Sequence, residues 1–366
     1  MLRAPLLGLL VLLPDGGPRP VQQGTPALEA QDVTVAPQRS LLSPAGRRAH
    51  ARALDWLAKA QAETGDGSFP RGEGKDLEYA PVAITALGSL ALMAGGSSPS
   101  QGPHAKEVAR AIDYLLQHTD LAPESPTRGF ISAGGDATSL MHGHGFAAFA
   151  LAEALGMSPK NARIRTALVA AVDLIERTQG SAGGWYYKPT RQSEHEGSLT
   201  VCMLQALRAS REAGIEIDPK VIERAIGYLE KSQLEDGSFA YQIGSTDASV
   251  ALTAAAISSL NQTGEYGSKR IARGVDAIFR DLAEREQEGT RARFPYYERF
   301  YLAQAFWQHQ DESLFERWFP DAEKALLRTQ EEDGAWFDPR FGFAYATAMN
   351  ALVLSMPGSL LPAFQR

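Results

Sequence analysis

Two stretches, Gln233-Leu-Glu-Asp-Gly-Ser-Phe239 and Gln330-Glu-Glu-Asp-Gly-Ala-Trp336, decide the architecture. Each closes an amphipathic run. A third copy follows Trp56-Leu-Ala-Lys-Ala-Gln61 and ends in Asp66-Gly-Ser-Phe69. The chemistry of the turn is readable: a Gln at a helix end can bond free backbone groups, and Gly accepts the positive φ that ends the helix. The aromatic ring just beyond can cover the Gln, which makes the motif a structural staple. Weaker copies centre on Gln117 with Gly129-Phe130, on Gln179 with Gly183-Gly-Trp185, and on Gln287 with Phe294. With Gln as the marker the spacing is about 43 to 62 residues, the size of a helix pair. Six units and twelve helices are expected.

The two helices of a unit differ in texture. First helices such as Val221-Ile-Glu-Arg-Ala-Ile-Gly-Tyr-Leu-Glu-Lys-Ser-Gln233 alternate apolar and charged residues at helical spacing and need one wet face. Second helices such as Ala248-Ser-Val-Ala-Leu-Thr-Ala-Ala-Ala-Ile-Ser-Ser-Leu260 and Phe146-Ala-Ala-Phe-Ala-Leu-Ala152 carry almost no charge, as expected for helices buried on both sides. Closing six pairs on themselves removes the need for the polar end caps of an open array. The sequence therefore predicts an all-α fold, an (α/α)6 toroid with an outer and an inner ring, as one domain over residues 45–366.

The 366 residues are 44% hydrophobic and 22% charged, which excludes disorder over most of the length. A net charge of −7 without a basic block makes nucleic acid an unfavourable partner. The single cysteine, Cys202, cannot form an internal disulfide or a Cys-rich metal site. Residues 1–20 read as a signal peptide or short hydrophobic segment: one Arg precedes a mostly apolar run that Pro14-Asp-Gly-Gly-Pro18 breaks, too short to span a bilayer comfortably. Residues 21–44, rich in Pro, Gln, Gly, Ser and Thr, read as a flexible linker. Export to the periplasm or medium is the expected localisation, with no spanning segment in the mature protein; the oligomeric state is left open.

The Gln-to-aromatic turn resembles the repeat of squalene and hopene cyclases and of protein prenyltransferase β-subunits. That resemblance implies an α/α toroid over roughly residues 45 to 357. A closer likeness is to an exported branch of undefined function in planctomycete-type bacteria. It is carried by Met141-His-Gly-His-Gly-Phe-Ala-Ala-Phe-Ala-Leu-Ala-Glu153, Gly183-Gly-Trp-Tyr-Tyr187, Tyr296-Tyr-Glu-Arg-Phe-Tyr-Leu-Ala-Gln-Ala-Phe-Trp307, Tyr345-Ala-Thr-Ala-Met349 and Leu361-Pro-Ala-Phe-Gln-Arg366. Departures from the catalytic families matter as much. The cyclase acid, Asp-x-Asp-Asp, is absent, since the chain has no two adjacent aspartates. Cys202 lies in Leu199-Thr-Val-Cys-Met203, not in the Asp-Cys-Thr-Ala-Glu of the oxidosqualene branch. Thr200 stands where the prenyltransferase zinc pair would need Asp, and the thioester Gly-Cys-Gly-Glu-Gln is missing.

In such a ring the first turns of the inner helices converge on one mouth. They carry Glu78-Tyr79, His142-Gly-His144, Glu194-His195-Glu196, Asp247, Tyr296-Tyr-Glu298 and Phe341 to Tyr345. The candidate catalytic residues are His142, His144, His195, Glu196, Asp247 and Glu298, with His144, His195 and Asp247 as candidate ligands of a divalent metal. The bland reading makes them helix caps. On a regular helix His142 and His144 would point about 200° apart, so sharing an ion requires them to sit in a loop. Tyr296, Tyr297 and Tyr345 are the candidate ligand-binding aromatics, while Trp185 and Trp336 belong to the staple. Cys202 reads as a small buried apolar residue. The leading expectation is an apolar or amphipathic ligand, isoprenoid or lipid-like, in a central cavity. The alternatives are a lyase, cyclase or hydrolase using the His/carboxylate mouth, with or without a metal, and a protein-interaction scaffold.

Overall fold

The protein is described from a computed structural model at residues 41–71, 78–134, 140–261, 268–358 and 360–365. The expected leader over 1–20, and the linker up to residue 40, lie outside the described residues. From Ser40 onward the chain forms one compact unit.

Among the described residues the chain forms twelve α-helices in sequence: α1 (Pro44–Thr64), α2 (Pro81–Ala94), α3 (Ala105–Gln117), α4 (Leu140–Met157), α5 (Ala162–Thr178), α6 (Gly197–Glu212), α7 (Pro219–Ser232), α8 (Val250–Asn261), α9 (Lys269–Glu288), α10 (Pro295–Trp307), α11 (Ser313–Thr329) and α12 (Gly342–Ser355). The β-structure there consists of isolated bridges at the turns. The even-numbered helices pack in the cycle α2, α4, α6, α8, α10, α12 and back to α2, which closes an inner ring. The odd-numbered helices lie outside; α3, for example, rests on α2 and α4, and α1 on α12 and α2. This is the expected (α/α)6 toroid.

Local sequence sets the helix ends. The Ser43 hydroxyl accepts from Gly46 N–H ahead of Pro44, Asn161 caps α5, and Asp218 caps α7 ahead of Pro219. Texture sets the layers. Every residue of α2 and of α8 is buried, and their Ala, Gly, Ser and Thr side chains let the inner helices approach closely on both sides. Outer helices such as α7 bury only one stripe, Val221, Ile222, Ala225, Tyr228, Leu229 and Ser232.

Four of the six staples take the expected form, and each does more than end a helix. The side-chain amides of Gln61, Gln179, Gln233 and Gln330 donate to the carbonyl of the turn glycine, Gly67, Gly183, Gly237 and Gly334 respectively, at 2.8 to 3.0 Å. Each amide donates again to a carbonyl at the start of a neighbouring outer helix: Glu107, Val221, Arg270 and Ala49. The staple thus joins one unit to the next, and the Gln330–Ala49 bond joins the last to the first. Gly334 has φ 102°, and a Cβ there would sit 2.7 Å from the carbonyl oxygen of Arg52 on α1, so the backbones touch at this joint. Nearby, Glu323 of α11 accepts from both the backbone N–H (3.0 Å) and the hydroxyl (2.7 Å) of Ser43.

The Gln117 and Gln287 copies are corrected. Gln117 is exposed at the end of α3, and the longer turn after it is organised by Asp120, which takes hydrogen bonds from Ser125, Thr127 and the Ala122 N–H. Gln287 lies inside the last turn of α9, which runs on to a Gly289 cap at φ 67°. Neither Gln is followed closely by the tight glycine-aromatic turn that brings a carbonyl back to the amide. One recurrent element was not foreseen: the N–H of the turn aromatic donates to a threonine on the inner helix, Phe69 to Thr85, Trp185 to Thr200, Phe239 to Thr253 and Trp336 to Thr347. Thr200 serves this joint. Trp185 and Trp336 are buried as staple residues, their indole N–H groups bonded to the Ile175 and Leu326 carbonyls.

Candidate functional site

The starts of α4 and α6 meet at the mouth of the ring. Glu196 precedes α6 in an extended conformation, held by its N–H on the Trp185 carbonyl, and its carboxylate caps the helix by accepting from Leu199 N–H at 2.9 Å. The same carboxylate oxygen accepts the Ser198 hydroxyl at 2.6 Å. Ser198 Oγ lies 3.1 Å from Nε2 of His142, in the first turn of α4. Since the serine proton is given to Glu196, the His142 Nε2–H is the donor in this contact, and Nδ1 keeps its lone pair. Nδ1 is buried and bonded to no partner. Glu196, Ser198 and His142 form a relay that fixes the imidazole and leaves a basic nitrogen free.

Burial governs the electrostatics here. It holds His142 neutral, with its pKa lowered to about 4. Burial also raises the Glu196 carboxyl, against the bonds from Ser198 and Leu199 that favour its charged form. The walls are aromatic. The Tyr187 ring lies 6.2 Å from His142 and stacks edge-on with Tyr186, and burial together with Glu196 pushes its hydroxyl up to about 12. Cys202, one turn below Ser198, is buried against the His142 carbonyl, and its thiol is pushed far up by burial, so it is an inert apolar residue, as expected.

The other candidates lie apart from this relay. His144 points the opposite way around α4: it is fully buried against Phe130, and its Nδ1 accepts from Ile131 N–H at 3.3 Å. The pair sits on a regular helix, so the 200° divergence applies. His195 binds the Tyr228 hydroxyl at 3.1 Å, which itself donates to the Tyr241 carbonyl, a clamp between turns. Asp247 is exposed and contributes its backbone carbonyl to Tyr241 N–H. Glu298 forms a two-pronged ion pair with Arg285 of α9 at 2.9 and 3.1 Å. The candidate metal ligands His144, His195 and Asp247 are therefore not brought together. Among the described residues no group of three or more His, Cys, Asp or Glu side chains is placed to hold an ion.

Of the aromatics, the Tyr296 hydroxyl donates to the Phe337 carbonyl and its ring stands edge-on to Tyr345, which makes both part of the rim between α10 and α12. Glu78 and Arg340 pair at 2.7 Å across the same rim. Tyr297 alone of the three turns down toward Tyr301, with rings 4.6 Å apart.

Below the mouth the lumen is not an open tube. Gln205 of α6 donates to Gln304 of α10 at 2.8 Å, a bond between helices that are not neighbours in the inner ring. At the far end residues 360–365 fill the axis. Phe364 is fully buried between Phe149 and Phe300, its carbonyl takes the Trp307 indole N–H, and the Ala363 carbonyl takes the Gln308 amide. The expected central cavity is crossed by the Gln205–Gln304 bond and filled at its far end by Phe364. A cleft of about 690 Å³ lies between α1, Pro70 and Arg71 of the turn after it, and the start of α12, where Trp56 donates to Asp333 at 2.9 Å. Sequence reasoning missed Ser198, Gln205, Tyr301 and Gln304. The available signal was register: Ser198, Cys202, Gln205 and Tyr297, Tyr301, Gln304 each recur at i, i+4, i+7.

No family model matches the chain, and no curated protein matches it. Solved structures do. A type II terpene cyclase, MstE from Scytonema in its apo form, matches with a TM-score of 0.56 and 17% identity over 86% of this chain and 99% of that one. A D-mannose isomerase matches at 0.53 and 14%, over 82% and 97%. An alpha-amylase from Clostridium perfringens matches at 0.58 and 12%, over 85% and 98%. MstE variants are seen with geranylgeranyl dihydroxybenzoate as substrate. Three activities share this architecture, so the likeness is one of fold, an α/α toroid.

Proposed function

We propose that this chain is an exported toroid protein, of the planctomycete-type branch, that binds a small amphipathic molecule at the mouth of its ring and performs acid–base chemistry on it. The observation that carries this reading is the His142 Nδ1 lone pair, buried, unpartnered and set by Ser198 and Glu196. A neutral imidazole fixed in one tautomer presents its lone pair to a ligand, and because burial lowers its pKa to about 4 it takes a proton only where the resulting imidazolium is stabilised. A ligand proton passing to Nδ1 would leave an imidazolium whose charge is stabilised through Ser198 by the Glu196 carboxylate. The surrounding tyrosines accept an apolar body, which keeps a lipid-like or isoprenoid ligand compatible with the site, provided that the body rests on the mouth and not along the narrowed axis.

The test is solvent exchange. Small molecules carried by the purified full-length protein are released by denaturation, identified by mass spectrometry and returned to fresh protein in deuterated buffer. Wild type should wash deuterium into one position of the molecule, and His142→Gln should reduce the rate at least ~100-fold, the usual contribution of general base catalysis. Equal rates in the two proteins, or no carried molecule, would refute the reading.

A further inference from the structure

Beneath His142 the facing walls of α6 and α10 present Ser198, Cys202 and Gln205 on one side, and Tyr297, Tyr301 and Gln304 on the other. The two walls meet at the Gln205–Gln304 bond. That bond satisfies only one atom of each amide. Gln205 Oε1 and Gln304 Nε2 are buried with no partner, and the residues are 5% and 0% exposed. Exchanging O and N in both amides would only swap their roles; one donor and one acceptor would still be left over. Just above, the buried Tyr297 and Tyr301 hydroxyls lie side by side and interact with each other, and neither has another partner. Tyr301 is 1% exposed.

Beneath a pair of hydroxyls that have only each other, Gln205 and Gln304 thus leave an amide acceptor and an amide donor unanswered and buried. Buried polar atoms are almost always paired, and each exception demands an occupant that pairs with it. The ionisable groups around this stretch have partners of their own. Above, Glu196 holds Ser198 and Leu199 N–H; below, Glu153, its pKa raised to about 8 by burial, accepts from Ala363 N–H; to the side, Arg299 donates to Asn350 and lies over the Tyr296 ring. An occupant of this stretch meets an amide donor and an amide acceptor together.

We infer that the lumen between Tyr297 and Gln304 is a subsite for a neutral group that both donates and accepts hydrogen bonds, a primary carboxamide or an alcohol, which the ligand inserts ahead of its apolar body. This rests on the mouth as the ligand site and names the class of ligand that suits it. The group sits below His142 while the body lies against the Tyr186–Tyr187 wall.

Calorimetry with four short probes on the full-length protein tests it: hexanamide, hexan-1-ol, hexanoate and hexylamine. Wild type should bind hexanamide or hexanol at least ~10-fold more tightly than either charged probe, a factor worth about 1.4 kcal/mol. Gln304→Leu should abolish that preference, and Tyr301→Phe, a milder change in case Gln304→Leu misfolds, should weaken it. His142→Gln should leave it in place, which separates this subsite from the proton-accepting role. Unchanged binding in both lumen variants, equal binding of a charged probe, or no binding of the neutral probes to wild type would each overturn the assignment.

Discussion

The side-chain amide of Gln330 donates to the backbone carbonyl of Ala49 at 2.8 Å, between residues 281 positions apart. The same amide donates to Gly334 O, and its oxygen takes the Arg52 guanidinium. The joint that closes the ring is built from the same parts as the internal joint at Gln179, whose amide bonds Gly183 and Val221 and whose oxygen takes Arg224. Closure therefore calls on no special chemistry; it is one more copy of the repeat.

Gln330→Leu should lower stability by about 1–3 kcal/mol, because two carbonyls lose their donor in a part-buried joint. Gln117→Leu, at an exposed residue that bonds nothing comparable, should stay within ~0.5 kcal/mol. Urea unfolding of both variants reads the difference. Equal losses would remove the staple from the account of stability.

Acid should weaken the fold through its buried histidines. His142 is lowered to about 4 and His144 to about 3, in both cases by burial first. A histidine whose folded pKa lies below its unfolded value near 6.5 takes up its proton more readily in the unfolded chain. Its contribution is fully present above about 6.5 and is lost as pH falls from there toward the folded value, at roughly 1.4 kcal/mol per pH unit for each group. His144→Asn removes one titration and keeps an acceptor for Ile131 N–H. Between pH 7 and 5 it should lose less stability than wild type; parallel curves would contradict the assignment.

Glu153 works in the other direction. Burial raises its pKa to about 8, with only Ala363 N–H as a favourable partner. Between about 4.5 and 8 the folded chain holds this proton and the unfolded chain does not, so the contribution is complete below 4.5 and fades as pH rises. Glu153→Gln keeps an acceptor and loses the titration. Its stability relative to wild type should increase steadily from pH 5 to pH 8 in denaturant titrations, and a constant offset would be the contrary result.

The relay makes a spectroscopic prediction that needs no ligand. In wild type, nitrogen NMR should place the His142 proton on Nε2 at neutral pH, leaving Nδ1 unprotonated. Ser198→Ala removes the acceptor and should produce a mixture of the two tautomers, whereas Gln117→Leu should not. A proton on Nδ1 in wild type would invert the relay.

The ring was legible in the sequence because its joints are made of residues with narrow uses. Gln, Gly and an aromatic in fixed order can do little but staple a helix end, and the charge-free stretches could only be buried. The pattern overreaches at Gln117 and Gln287: Gly129-Phe130 comes too late after Gln117, and Gln287 is still inside α9, so no carbonyl returns to either amide. Thr85, Thr200, Thr253 and Thr347 were invisible for the opposite reason, since a threonine inside an apolar helix has many uses. At the mouth, the divergence of His142 and His144 follows from 100° per residue. The convergence of His142 with Ser198 required the packing of α4 on α6. Gln205 and Gln304 were hardest to read: a helix buried on every side has no wet face from which to deduce which residues look inward.

Residues 360–365 follow every helix in the chain, so they leave the ribosome after the walls they fill. The contacts that matter most to the ring are also the most distant in sequence, α1 with α12 and Ser43 with Glu323. Such long-range pairings form slowly, because loop closure comes before any reward. Phe364, set between Phe149 and Phe300, takes its place as that late closure happens. A chain lacking Leu361 to Phe364 would display walls and mouth with an unfilled axis lined by apolar rings, the kind of surface on which incompletely packed chains aggregate. The segment made after the walls is the one that turns an open hoop into a filled one.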